Sequence, residues 1–117
     1  MGVVRIVPNI AVDDVPAAQD FYAGLLELDP VMDHGWLVTL AGNGRARAQL
    51  SVASEGGSGT QVPDLSIEVD DLDAVLDRAR ARGLEIVHGP VDEPWGVRRF
   101  HVRDPFGNVL NILSHIG

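Results

Sequence analysis

No cysteine occurs in the 117 residues, which excludes disulfides and thiolate chemistry and makes the cytoplasm the expected compartment. No apolar run approaches the roughly 20 residues that a membrane-spanning helix requires, and nothing ahead of Arg5 resembles a secretory signal. Basic residues are scarce, with 9 Lys and Arg against 17 Asp and Glu, a net charge of -8. Phosphate neutralisation needs a basic stripe, so nucleic acid is excluded as a partner. The acidic balance is compatible with a cationic ligand. The acidic pairs at 13–14 and 70–71, with Asp73, Asp77, Asp92 and Glu93, also read as helix starts and solvated loops. Aromatics are only 5% of the chain. The turn "GNGRA" at 42–46 lacks the Lys-Ser/Thr of a phosphate loop, and no G-x-S-x-G elbow is present. Neither nucleotide binding nor a nucleophilic triad is expected.

What is present fits one domain, long enough to bury roughly two-thirds of its unfolded surface. Residues 3–12 read as a strand and 14–27 as a helix, with Asp14 as N-cap and Pro16 in the first turn. Strands at about 31–33, 36–41 and 45–53 follow. After the Gly/Ser-rich loop 54–61, which reads as a mobile connector, the order recurs. A strand at 64–69 leads to a helix at 71–82 that stops at Gly83, and strands follow at about 84–88, 98–103 and 108–114. The letters recur too: "IAVDDVPAAQD" (10–20) and "IEVDDLDAVLD" (67–77) share six of eleven positions. We read two βαβββ repeats, about 3–53 and 62–115, within a single α+β domain.

Strand alternation separates two faces. Ile10, Val12, Leu65, Ile67, Val69, Leu110 and Ile112 form an apolar face, with Val15, Ala18, Phe21, Leu25 and Leu72, Val75, Leu76, Ala79 as the helix stripes expected to cover it. The other face carries Val7, Asn9, Arg47, Gln49, Ser51, Asp64, Ser66, Glu68 and Asn111 and is far more polar. It is either solvated or the lining of a cleft made by two curled sheets.

The stretches "NIAVDDVPAAQDFYAGLLEL", "SIEVDDLDAVLDRARARGLEI" and "WGVRRFHVRDPFGNVLNIL" resemble the opening, middle and closing segments of the glyoxalase/bleomycin-resistance/extradiol-dioxygenase superfamily, the vicinal oxygen chelate fold. The likeness covers nearly the whole chain, and the closing hairpin is most similar to the bleomycin-resistance-like branch. "DPFGN" is its most specific piece. Glu27 departs from the glycine that commonly ends the family's first helix.

The resemblance implies a curled mixed sheet with a cleft and, in metal-dependent members, four side chains that hold a divalent ion. Those positions fall at Val7, Gln49, Asp64 and Asn111. The first has no donor atom, two are amides, and none is histidine, so no family-type metal and no cofactor is expected. An off-register site using His101 with Asp64 or Glu68 is the variant left open.

The expected function is therefore a metal-free small-molecule-binding protein of the bleomycin-resistance type, a homodimer whose cleft sequesters a cationic or aromatic antibiotic. The expected ligand contacts are Asn9, Trp36, Arg47, Gln49, Asp64, Ser66, Glu68, Trp95, His101 and Asn111. Trp36 and Trp95 serve equally as packing or as stacking surfaces. Phe106, inside the turn, reads as packing. The rival is a lyase or isomerase, with an atypical metal or with His101, Glu68 and Asp64 as acid–base groups.

Overall fold

Asp14 and Asp71 start the two helices in the same way. In the computed structural model, which describes residues 2–116, the Asp14 carboxylate accepts from Ala17 N at 3.0 Å and that of Asp71 from Ala74 N at 3.1 Å. Each satisfies one of the orphan donors of a first helical turn. Helix α1 spans Val15–Leu26 and α2 spans Leu72–Ala81. The second ends at Gly83, whose φ of 69° lets Leu84 N reach back to Ala79 O at 3.1 Å. The first ends on Glu27 itself, held left-handed at φ 55° where a glycine would be unstrained.

The strands are β1 (Val3–Ala11), β2 (Asp29–Asp33), β3 (Leu37–Ala41), β4 (Gln49–Ala53), β5 (Leu65–Val69), β6 (Ile86–Glu93), β7 (Val97–Arg103) and β8 (Val109–His115). With the two helices they make an α+β fold of mixed sheet. The chain divides into two compact units, residues 7–62 and residues 2–6 with 63–116, so β1 contributes to both.

In the unit of residues 7–62 the strand order is β2–β3–β4–β1. Strands β1 and β4 are parallel, with Asn9 opposite Ser51, and β3 runs antiparallel to β4, with Thr39 opposite Ser51. Val15, Val38, Leu40 and Val52 are its buried core, with Ile10, Val12, Ala18 and Tyr22 packed against them. The covering face of α1 thus runs through Val15, Ala18 and Tyr22. Phe21, expected on that stripe, lies about a quarter-turn away and is 59% exposed, and Leu25 is 64% exposed.

In the other unit the order is β5–β8–β7–β6, the same scheme repeated. Strands β5 and β8 are parallel, with Ser66 opposite Asn111, and β7 runs antiparallel to β8, with His101 opposite Asn111. Leu72, Leu76 and Ala79, spaced for one helix face, pack on Val69, Phe100, Val102 and Ile112. Residues 2–6 join this unit: Gly2 N donates to Asp70 Oδ1 at 2.7 Å, and Arg5 Nε meets Glu68 Oε1 at 3.1 Å.

The loop 54–61 carries hydrogen bonds of its own. Gly56 N donates to Thr60 O at 2.8 Å, the Thr60 hydroxyl donates to Gly57 O at 2.7 Å, and Gly59 N donates to Glu55 Oε1 at 3.1 Å. The turn "DPFGN" is also self-contained. Asp104 Oδ1 accepts from Phe106 N at 2.8 Å and Asn108 N at 2.9 Å, while Oδ2 accepts from Asn108 Nδ2 at 2.9 Å. These bonds hold the Asp104 carboxyl below its ordinary pKa, the Asn108 side chain first among them. Phe106, read from sequence as packing, stands 85% exposed at the tip. Among the described residues no helix is long and apolar enough to cross a membrane.

Candidate functional site

Alternation along β5, β7 and β8 buries one face under α2 and leaves Ser66, Arg99, His101 and Asn111 on the other. Strand β6 adds two residues that regular alternation would not place there together. His88 and Glu93 are five positions apart, which puts them on opposite faces of an unbroken strand. The pairing shifts between Ile86 and His88 and again between His88 and Val91, so that His88 stands opposite His101. Bulges of this kind re-aim side chains. Gly89 permits the second shift: it sits at φ 75°, and a Cβ there would meet Arg99 O at 2.5 Å.

The result is a polar row across four strands, Ser66–Asn111–His101–His88. Asn111 Nδ2 donates to Ser66 Oγ at 3.1 Å, and the rings of His101 and His88 lie 5.2 Å apart. Beside this row Glu93 Oε2 accepts from Arg99 Nε at 2.6 Å and contacts His88 Nε2 at 3.0 Å. Arg99, only 2% exposed, places its guanidinium 4.9 Å from the centre of the Trp95 ring. An ion pair so buried is tolerable because the carboxylate and the aromatic face replace water around the guanidinium.

His101 is 2% exposed. Burial pushes its imidazole down to about 4, the positive charges of Arg99 and His88 push the same way, and Glu93 opposes them. It is therefore neutral at physiological pH. Burial also lowers Arg99, against the hydrogen bond and charge of Glu93.

The expected ligand contacts distribute unevenly. Ser66, Glu68, Trp95, His101 and Asn111 share the unit that contains β5–β8–β7–β6. Glu68 is already engaged by Arg5 and by His115 Nδ1 at 2.9 Å. Asp64 precedes β5 and accepts from Val109 N at 2.8 Å, which fixes the start of β8. In the unit of residues 7–62, Asn9 and Gln49 lie on β1 and β4, and Trp36 stacks on His34 at 5.6 Å just before β3. Arg47 departs from expectation. Strand β4 starts only at Gln49, and Arg47 sits exposed in the preceding turn with φ 48°, off the sheet face on which the sequence placed it. Glu93 and His88 were missed as site residues: the strand was expected to end at about 88, which left Glu93 in a loop, and a bulge hides His88 from an alternation count.

The four positions at which the resemblance places the family's metal ligands carry side chains poorly suited to a transition metal. Val7 has no donor, Gln49 and Asn111 are amides, and the one carboxylate, Asp64, already caps Val109 N. The register also makes Ser51 the counterpart of Asn111 in the first repeat, and Ser51 is occupied with Thr39 at 2.8 Å. Among the described residues no three His, Asp or Glu side chains are placed to hold a metal ion.

The chain matches the family model described as the Glyoxalase/Bleomycin resistance protein/Dioxygenase superfamily over residues 2–112. Among solved structures it is similar to the methylmalonyl-CoA epimerase of Mycobacterium tuberculosis, at 20% identity and TM-score 0.66, covering 99% of this chain and 89% of that one. The methylmalonyl-CoA epimerase of Streptomyces coelicolor, in complex with 2-nitronate-propionyl-CoA, is similar at 16% identity and TM-score 0.73, covering 99% and 100%. A superfamily member from Vibrio splendidus 12B01 is similar at 17% identity and TM-score 0.67, covering 98% and 100%. At these identities the likeness is one of fold. No curated protein matches the chain.

Proposed function

Because this chain belongs to the Glyoxalase/Bleomycin resistance protein/Dioxygenase superfamily, we propose that it acts as a metal-independent small-molecule-binding protein of the bleomycin-resistance type. The observation that carries this reading is the buried, neutral His101 beside Asn111, at a position where the family's metal-dependent members place a glutamate. A donor set of amides and a hydroxyl binds organic polar groups better than it binds a metal ion. A base held to about 4 abstracts protons poorly at neutral pH, so His101 serves as a hydrogen-bonding group rather than a catalyst. Trp95, with Arg99 against its ring, adds an aromatic surface of the kind that retains planar ligands. Exposed Phe21, Leu25 and Leu26 on α1 support a homodimer, and the cytoplasm remains the proposed compartment.

The test is calorimetric titration with bleomycin-class and other aromatic compounds, cationic and neutral, alongside elemental analysis of protein purified without chelator. Binding at or below about 100 μM, equivalent to about 5.5 kcal/mol, with no stoichiometric metal, is the expected outcome. Stoichiometric metal that disappears in Asp64→Ala overturns it.

A second reading, a metal-free acid–base enzyme, draws on the His88–Glu93 contact at 3.0 Å, a half-buried imidazole backed by a carboxylate. Incubation with methylmalonyl-CoA, the compound that the similar epimerases are named for, in deuterium oxide separates the two. Exchange that is lost in His88→Ala favours the enzyme.

A further inference from the structure

The two repeats build the same polar ladder with opposite outcomes. Ser66 follows Asn9 by the repeat offset, and the registers make Asn111 the counterpart of Ser51 and His101 that of Thr39. In the first repeat the Thr39 and Ser51 hydroxyls close on each other at 2.8 Å, buried. In the second, His101 Nε2 and Asn111 Oδ1 are sealed from solvent and have no hydrogen-bond partner among the described residues. Both residues are deeply buried, His101 at 2% and Asn111 at 9% exposure. Folded chains rarely leave such atoms unmatched, and two of them on directly opposed residues of β7 and β8 call for one common partner.

We propose that His101 Nε2 and Asn111 Oδ1 form a two-point subsite for an uncharged donor group, a hydroxyl or a primary amide, on an organic ligand. The inference rests on the reading of this face as a binding site and specifies the ligand chemistry.

Asn111 donates one Nδ2 hydrogen to Ser66, and its acceptor oxygen Oδ1 is the atom left without a partner among the described residues. A carboxylate or phosphate would set oxygen against oxygen there. A cation meets a neutral imidazole with the Arg99 guanidinium close by, while the carboxylate of Glu93 is already taken up by Arg99 and His88. A hydroxyl or amide donates to Asn111 and meets Nε2 in either tautomer of the imidazole. Because both atoms are sealed, its entry accompanies a side-chain movement.

The full-length protein is labelled with ¹⁵N-histidine and titrated with benzamide, benzyl alcohol, benzoate and benzylammonium, four ligands sharing one ring. The expected result is that benzamide or benzyl alcohol moves the His101 Nε2 resonance, and that Asn111→Leu weakens that binding about tenfold or more. Should Asn111→Leu fail to fold, His101→Phe, with binding read by calorimetry, makes the same comparison. Binding that leaves Nε2 unmoved and survives the substitution overturns the subsite while the binding function stands. Preference for benzoate or benzylammonium overturns the ligand class. An Nε2 resonance that no compound moves identifies a buried water as the sole partner and overturns the subsite, whatever the bleomycin-class titration gives.

Discussion

Glu93 Oε2 is shared by His88 and Arg99, with His88 Nε2 at 3.0 Å and Arg99 Nε at 2.6 Å. One carboxylate oxygen thereby holds the end of the β6–β7 hairpin and orients the ring opposite His101. Removing it takes from the buried Arg99 the carboxylate that it bonds at 2.6 Å. Glu93→Ala is expected to cost about 3–5 kcal/mol in urea denaturation. The paired replacement Glu93→Leu with Arg99→Met should recover most of that loss, because no charge is then stranded.

Stability should fall as the solution is acidified from pH 6.5 toward 4. His101 has an ordinary value of 6.5 in the unfolded chain and about 4 in the folded one. Above pH 6.5 both states hold the neutral ring. Below it the unfolded chain takes up the proton first, so the contribution of this residue fades until it is gone near pH 4. At roughly 1.4 kcal/mol per unit of pKa difference, the fall is about 3 kcal/mol. Denaturation curves across this range check it, and His101→Phe should flatten the slope by that amount.

At the end of α1, Glu27→Gly should stabilise the protein. A left-handed residue with a Cβ is strained by about 1 kcal/mol, and Glu27 occupies that conformation at φ 55°. A gain of up to about 1 kcal/mol is expected by thermal denaturation. Glu27→Ala, which keeps the Cβ, should show none.

The self-association proposed above runs through the apolar side chains that α1 leaves in solvent. Leu25→Glu, placed at a position 64% exposed, should leave the melting temperature of the isolated chain nearly unchanged. It should convert a dimer to a monomer in light scattering, since a carboxylate tolerates water but not an apolar interface. A wild-type chain that is monomeric at every concentration removes the homodimer.

Much of the fold was legible in the sequence because the signals were local. Asp14 reads as a cap and acts as one, Gly83 ends α2, and the apolar alternation in β5 and β8 marks the face that α2 covers. The departures have a physical pattern. Phe21 and Leu25 belong to a helix hydrophobic on more than one side, so periodicity alone did not select the face carrying Val15 and Tyr22. Arg47 was placed by extending a strand backward through a turn. Asn111, Ser66 and His101 were read on the polar face because their strands are regular. Their neighbours His88 and Glu93 were not: a register shift turns His88 to that face, and Glu93 lies beyond the strand end expected at 88. A Gly-Pro pair inside an apolar strand is the available hint of such a bulge.

The turn at Asp104 has a consequence for classification. The five residues that mark kinship most sharply use their own polar groups on one another, and the aromatic ring among them points into solvent. Ancestry can therefore be recognised from residues that carry no information about cargo. Two proteins can share this turn and bind unrelated molecules; under the function proposed above, the positions that distinguish them are 66, 101 and 111.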